Sequence, residues 1–158
     1  ERLRIRGHRV DLVDAASATA LDVTAAYQAA FIGGSVHQHK HQSALMHFVK
    51  SNRDWLNAMP VALFSVSLAA ASDDMDSRLE AQRLADEFID ESGLRPMAVR
   101  CVAGALKYTQ YSWLKRALMK HIANHEGAST DTSTDHEYTR WSDVASSTDA
   151  FIAHVQKR

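Results

Sequence analysis

The residues best suited to chemistry lie in three short runs and one histidine cluster. Gly33-Gly34-Ser35-Val36, Ser65-Val66-Ser67-Leu68-Ala69 and Gly104-Ala105-Leu106-Lys107-Tyr108 each follow an apolar stretch with small or hydroxyl-bearing residues. At the carboxyl ends of parallel strands, such runs let a ligand approach the backbone closely and bond to it. Three such ends in one sheet suit a flat, partly apolar ligand gripped mainly by main-chain groups. Any single run is better explained as a strand that simply stops; three in register weaken that explanation. The first run leads into His37-x-His39-x-His41. Imidazole is the commonest protein ligand for metals, but no carboxylate or cysteine adjoins this pattern. His121 and His125 lack the glutamate of a His-Glu-x-x-His site. No metal is expected, and the cluster reads as either an exposed polar loop or a ligand contact. Cys101, inside an apolar run, reads as a small core residue. Neither a Gly-x-Ser-x-Gly elbow nor a glycine-rich phosphate loop is present, which leaves acyl-serine and P-loop chemistry without support.

Elements that could position these runs alternate along the chain. Apolar strands are expected at Arg9–Val13, Ala29–Gly34, Val61–Leu68 and Met97–Gly104. The last three lack the polar alternation of a half-exposed strand and suit a parallel sheet covered on both faces. Between them, helical spacing predicts one helix over Gln42–Asn57, with Leu45, Phe48, Val49 and Leu56 inward. A second starts at Ser72-Asp73-Asp74 and turns Met75, Leu79, Leu84, Ala85, Phe88 and Ile89 inward until Gly93 and Pro96 end it. A last helix from near Thr139 carries Trp141, Val144, Ala145, Thr148, Ile152 and Val155 on one face. Strands alternating with helices of this length make βαβ units and a doubly wound parallel sheet in three α/β/α layers.

With 158 residues the chain is read as a single domain, residues 1–158. A net charge of −1 points to no nucleic-acid partner. The lone cysteine excludes an internal disulfide, in keeping with a reducing cytosol. No apolar run nears the roughly 18 residues of a spanning helix. The opening Glu1–Arg6 looks like the tail of a helix stopped by Gly7, so upstream sequence is expected to be missing.

Several motifs together resemble a known family. Ile32-Gly33-Gly34-Ser35-Val36, Phe48-Val49-Lys50, Met59-Pro60, Ser65-Val66-Ser67-Leu68 and Ala103–Tyr108 with Tyr111 and Trp113 are similar to the menaquinone-dependent protoporphyrinogen dehydrogenases. So are Thr130-Asp131-Thr132 and Tyr138-Thr139-Arg140-Trp141, and the resemblance runs from about Gly7 to the end. It implies a five-stranded flavodoxin-like sheet holding FMN. It also implies oxidation of protoporphyrinogen IX to protoporphyrin IX in haem biosynthesis, with electrons passed to a membrane quinone. By position, Ser35, Val36 and His37 would edge the isoalloxazine ring. Ser65, Val66, Ser67, Leu68 and Ala69 would form the second ring loop, and Gly104, Ala105, Leu106, Lys107 and Tyr108 would border the site. The redox chemistry would be the flavin's, so no protein acid or base is named.

Two features depart from that family. Its first strand and Ser/Thr-rich phosphate loop have no counterpart here, and His37-Gln38-His39-Lys40-His41 replaces an Arg/Tyr/Gly-type segment. The segment Tyr108–Ile122 places Leu114, Leu118, Met119 and Ile122 on one stripe flanked by Lys115, Arg116 and Lys120, after Tyr108, Tyr111 and Trp113. Such a helix either packs on the sheet or lies in a headgroup layer; the family resemblance implies peripheral contact with the cytoplasmic face of the cell membrane. Two other readings are a flavodoxin-type electron carrier without its own substrate, and a module that kept the sheet and lost the cofactor. Homo-oligomerisation is left open.

Overall fold

Long apolar runs with no polar partner on either face become neighbouring parallel strands. The computed structural model describes residues 1–20, 27–106 and 135–157. β1 (Ala30–His37) turns back through Gln38 and His39 into the short antiparallel β2 (Lys40–His41). β3 (Val61–Val66) and β4 (Ala98–Val102) continue the sheet in parallel, giving the order β2-β1-β3-β4. The registers set Ser35 beside Val66 and Val66 beside Val102, so the three carboxyl ends share one edge. A separate pair, β5 (Ala105–Leu106) and β6 (His136–Glu137), is antiparallel.

Helices cover both faces, as a flavodoxin-like α/β fold requires. α1 (Arg2–Ile5) ends before Gly7, whose φ of 84° is the left-handed geometry that stops a helix. α2 (Ser43–Ser51), α3 (Arg53–Asn57) and α4 (Met75–Ser92) pack one face. Their Leu45, Val49, Leu56 and Phe88 join Ile32, Val61, Leu63 and Leu94 in the main core. α5 (Trp141–Val155) lies on the other face, with Phe151 edge-on to Phe31 at 4.9 Å and Arg100 donating to Ser147 Oγ. Arg2 and Arg6 of the α1 end both pair with Asp149 of α5.

The structure corrects five expectations. β1 runs on through Gly33 and Gly34 to His37, so these glycines do not end the strand. The single helix over 42–57 is broken at Asn52, which takes φ −115° and donates from its amide to the Phe48 carbonyl. Met75 and Leu79 are 62% and 60% exposed, because α4 turns Ala81, Leu84, Ala85, Phe88 and Ser92 inward instead. Trp141 likewise faces out, at 65% exposure, while Phe151 is the buried residue of α5.

The fifth correction concerns Arg9–Val13, which forms no strand. Strand geometry needs a neighbouring ladder, and none is supplied: among the described residues the main sheet has four strands, not the five implied by the resemblance, and Ala30–Ser35 have a strand partner on one side only. Between this edge and residues 8–15 runs a groove of about 860 Å³, walled by Val10, Leu12, Phe31, Leu45, Phe48 and Ile152 among others. Leu12 is 90% exposed beside it.

Candidate functional site

The shared carboxyl edge of β1, β3 and β4 is tied together by short hydrogen bonds. The loop after β3 is stitched to β4 where Ser67 N donates to Val102 O at 3.0 Å. Ser67 Oγ accepts from Ala70 N, and Ala71 N donates to Leu68 O, closing a 3-10 turn at Ala69–Ala71. Gly104 lies so close to β3 that an added Cβ would sit 3.0 Å from Val66 Cγ1. The exit of β4 is capped from the sequence beyond it: Thr139 Oγ1 donates to Ala103 O at 2.7 Å and Tyr138 N to Gly104 O at 3.1 Å. The result is an edge of small side chains with a preset backbone.

Three histidines that looked like a cluster take three different partners. His37 Nε2 bonds Ser35 Oγ at 3.0 Å on the face of β1 that carries Phe31. His39 pairs with Glu80 of α4 at 3.3 Å. Arg83 binds the same carboxylate, and Arg83 first and His39 after it hold Glu80 down to about 2. His41 Nε2 shares a 3.0 Å hydrogen bond with Ser65 Oγ, and its ring packs 4.7 Å from Phe88. Burial lowers the His41 pKa, which favours a neutral imidazole. Histidines aimed at separate partners do not converge on a cation.

The residues expected from sequence distribute unevenly over this edge. Ser35, Val36 and His37 finish β1. Ser65 and Val66 belong to β3 rather than to the loop, and Ser65 is 1% exposed with its hydroxyl committed to His41. The loop proper is Ser67, Leu68 and Ala69. Gly104 leaves β4, and Ala105 and Leu106 are held in the ladder with β6. Lys107, Tyr108 and the segment to Ile122 lie outside the described residues. Residue spacing alone did not identify the capping pair Tyr138 and Thr139; the Tyr138-Thr139-Arg140-Trp141 motif was the signal available.

A family model described as Flavodoxin domain matches residues 1–133. The chain belongs to this family. The curated relatives of this flavodoxin domain include the protein named protoporphyrinogen IX dehydrogenase (quinone) of Escherichia coli strain K12. It is 35% identical over 119 residues, covering 75% of this chain and 65% of that protein. A Leishmania major protein of the same name is 32% identical over 136 residues, covering 86% of this chain and 58% of that protein. The flavodoxin domain thus spans less than two thirds of the curated relatives it matches. No solved structure matches it.

A flavodoxin domain implies a flavin, and the edge meets that need in part. The small residues at Ser35, Ser67 and Gly104 leave an edge a flat ring can approach, with the backbone already fixed. A phosphate is less well served by the described residues. One helix that begins at this edge, α4, opens with Asp73, Asp74 and Asp76, and Asp74 already accepts the Ser77 amide at 2.8 Å. Carboxylates there oppose the helix's attraction for an anion.

Proposed function

We propose that this flavodoxin domain serves FMN-dependent oxidation of protoporphyrinogen IX to protoporphyrin IX, with a quinone as electron acceptor, in haem biosynthesis. The observation that carries the reading is the preset backbone edge formed by Ser67, Val102 and Gly104, in a chain 35% identical to a protein named for that reaction. FMN supplies the redox chemistry when bound. The residues that would surround the ring are Ser35, Val36 and His37, Ser67 to Ala69, and Gly104 to Leu106, with Lys107 and Tyr108 proposed from the sequence alone. Protoporphyrinogen IX is a closed, puckered macrocycle with a largely apolar body and two propionates, and an edge lined by small residues leaves that apolar body room to approach the ring.

The groove beside β1 supports a second part of the proposal. An extended segment alongside Ala30–Ser35 would fill the groove between β1 and residues 8–15. No described helix is long and apolar enough to cross a membrane. Peripheral contact with the inner face of the cell membrane, through about Tyr108–Ile122, is proposed from the basic, aromatic pattern of that segment and the need to reach a quinone.

The test is an FMN titration of the 158-residue chain and of a version extended ahead of Glu1 by a flavodoxin first strand and phosphate loop, read by quenching of flavin fluorescence. Protoporphyrin fluorescence is then followed with protoporphyrinogen IX and a soluble quinone. Saturable FMN binding that is much tighter in the longer version, with quinone-dependent porphyrin formation, is expected. Absence of FMN binding in both overturns the reading. FMN binding without porphyrin formation leaves an electron carrier in its place.

A further inference from the structure

We propose that His41 is a positioning residue that locks the β1–β2 hairpin onto β3 and so fixes the Ser35–His37 wall of the ligand edge. The proposal deepens the flavin reading above and rests on it for the ligand, though not for the lock. The hairpin cannot hold itself. Its ladder has two residue pairs, Val36 with His41 and His37 with Lys40. Its two-residue turn places Gln38 at φ 51° and His39 at φ 59°. That geometry is the one a two-residue hairpin requires, but it is usually occupied by Asn or Gly, and other side chains are strained in it. An external tie must offset the strain.

His41 is placed to be that tie. Its ring reaches across β1 to the Ser65 hydroxyl on the central strand, and Ser65 is 1% exposed. The crossing depends on Gly34: a Cβ there would lie 3.4 Å from His41 Cδ2 and would run into Leu45 Cδ2. Phe88 supports the ring from the far side. The other tie, His39 to Glu80, joins an 80% exposed side chain to a carboxylate already held by Arg83, and is worth little in water. Because Val36 and His41 are ladder partners, fixing His41 fixes the end of β1 on which Ser35 and His37 sit.

The test uses His41→Leu, Ser65→Ala and His41→Gln in the 158-residue chain. Gln keeps an amide nitrogen near the place of Nε2; Leu keeps bulk without the hydrogen bond. Amide hydrogen exchange is measured over residues 36–41 and, as an internal reference, over β3 and β4. Loss of one such bond is expected to speed hairpin exchange by about tenfold in His41→Leu and Ser65→Ala. The β3 and β4 amides should stay within about twofold, and His41→Gln should recover most of the protection. FMN affinity should follow the same order, and the His41→Leu/Ser65→Ala double variant should be no worse than either alone. Equal exchange in all variants, equal loss in Gln and Leu, or a uniform rise across the sheet overturns the lock. The expected exchange pattern with no FMN binding to the parent chain or to its longer version would overturn the flavin reading and leave the lock standing.

Discussion

Adjacent glycines in β1 should respond in opposite directions to the same substitution. At Gly34 an added methyl meets Leu45 Cδ2, and Leu45 is 6% exposed within the core. Leu45 must leave its rotamer, at about 0.5–1.5 kcal/mol, or α2 must lift, with overpacking typically about 1–3 kcal/mol. Reduced freedom of the unfolded chain returns only about 0.4–1 kcal/mol. Gly34→Ala should therefore destabilise by about 0.5–1.5 kcal/mol. At Gly33 a Cβ meets nothing within 4 Å among the described residues and φ is ordinary, so Gly33→Ala should stabilise by about 0.4–1 kcal/mol. Urea unfolding followed by far-UV circular dichroism measures both. The gap of about 2 kcal/mol corresponds to roughly 4–8 °C in Tm for a chain of this size. Adding Leu45→Val should shrink the Gly34→Ala penalty relative to Leu45→Val alone. Equal shifts for the two glycines, or a penalty indifferent to residue 45, would refute the packing argument.

Three other outcomes follow from named contacts. The folded state holds His41 at a lowered pKa, so acid favours the unfolded chain. Stability from this group is complete above pH 6.5 and falls as pH drops below it, by at most about 1.4 kcal/mol per pH unit. Urea midpoints at pH 7.5 and 5.5 should differ in the parent and differ less in His41→Gln. Glu80, held at about 2 by Arg83 and His39, loses its stabilising charge only below about pH 4.5, which keeps the two windows apart. Asn57 accepts from Arg95 N and donates to Gly93 O, clasping α3 to the turn after α4, so Asn57→Ala should cost about 1–3 kcal/mol in the same assay. The Cys101 thiol, pushed up by burial and bonded to Ala81 O, should react with Ellman's reagent at pH 7.5 about tenfold more slowly than in the urea-unfolded chain.

Much of the sheet was legible because Phe31-Ile32, Val61–Phe64 and Val99–Val102 carry their hydrophobicity on both faces. Arg9–Val13 has equal strand character on paper, but a strand exists only with a partner, and partnership is tertiary. The break at Asn52 was hidden because apolar spacing runs straight through it, from Leu45 and Val49 to Leu56. In α4 the inward face is carried by Ala81, Ala85 and Ser92, whose small side chains signal burial less strongly than the exposed Met75 and Leu79. At the candidate site, the glycine and serine runs of β1 and β3 and Gly104 after β4 lie along one shared edge of the sheet. Their individual tasks were not readable. Gly34 makes room for a crossing side chain, and Ser65 answers a histidine 24 positions earlier in the chain.

β1, which along Ala30–Ser35 is paired on one side only among the described residues, also bears on how the chain behaves at working concentrations. Backbone donors and acceptors along Ala30–Ser35 border an apolar trench, and β1 carries neither lysine nor proline, the residues that usually keep such borders from adhering to one another. Two copies can satisfy those groups mutually, and more than two can do so in series. Self-association should therefore rise steeply with concentration and recede when a lysine replaces Gly33, where a side chain meets open space, independently of any cofactor added. Purification of this domain is accordingly a matter of occupying or blunting one strand.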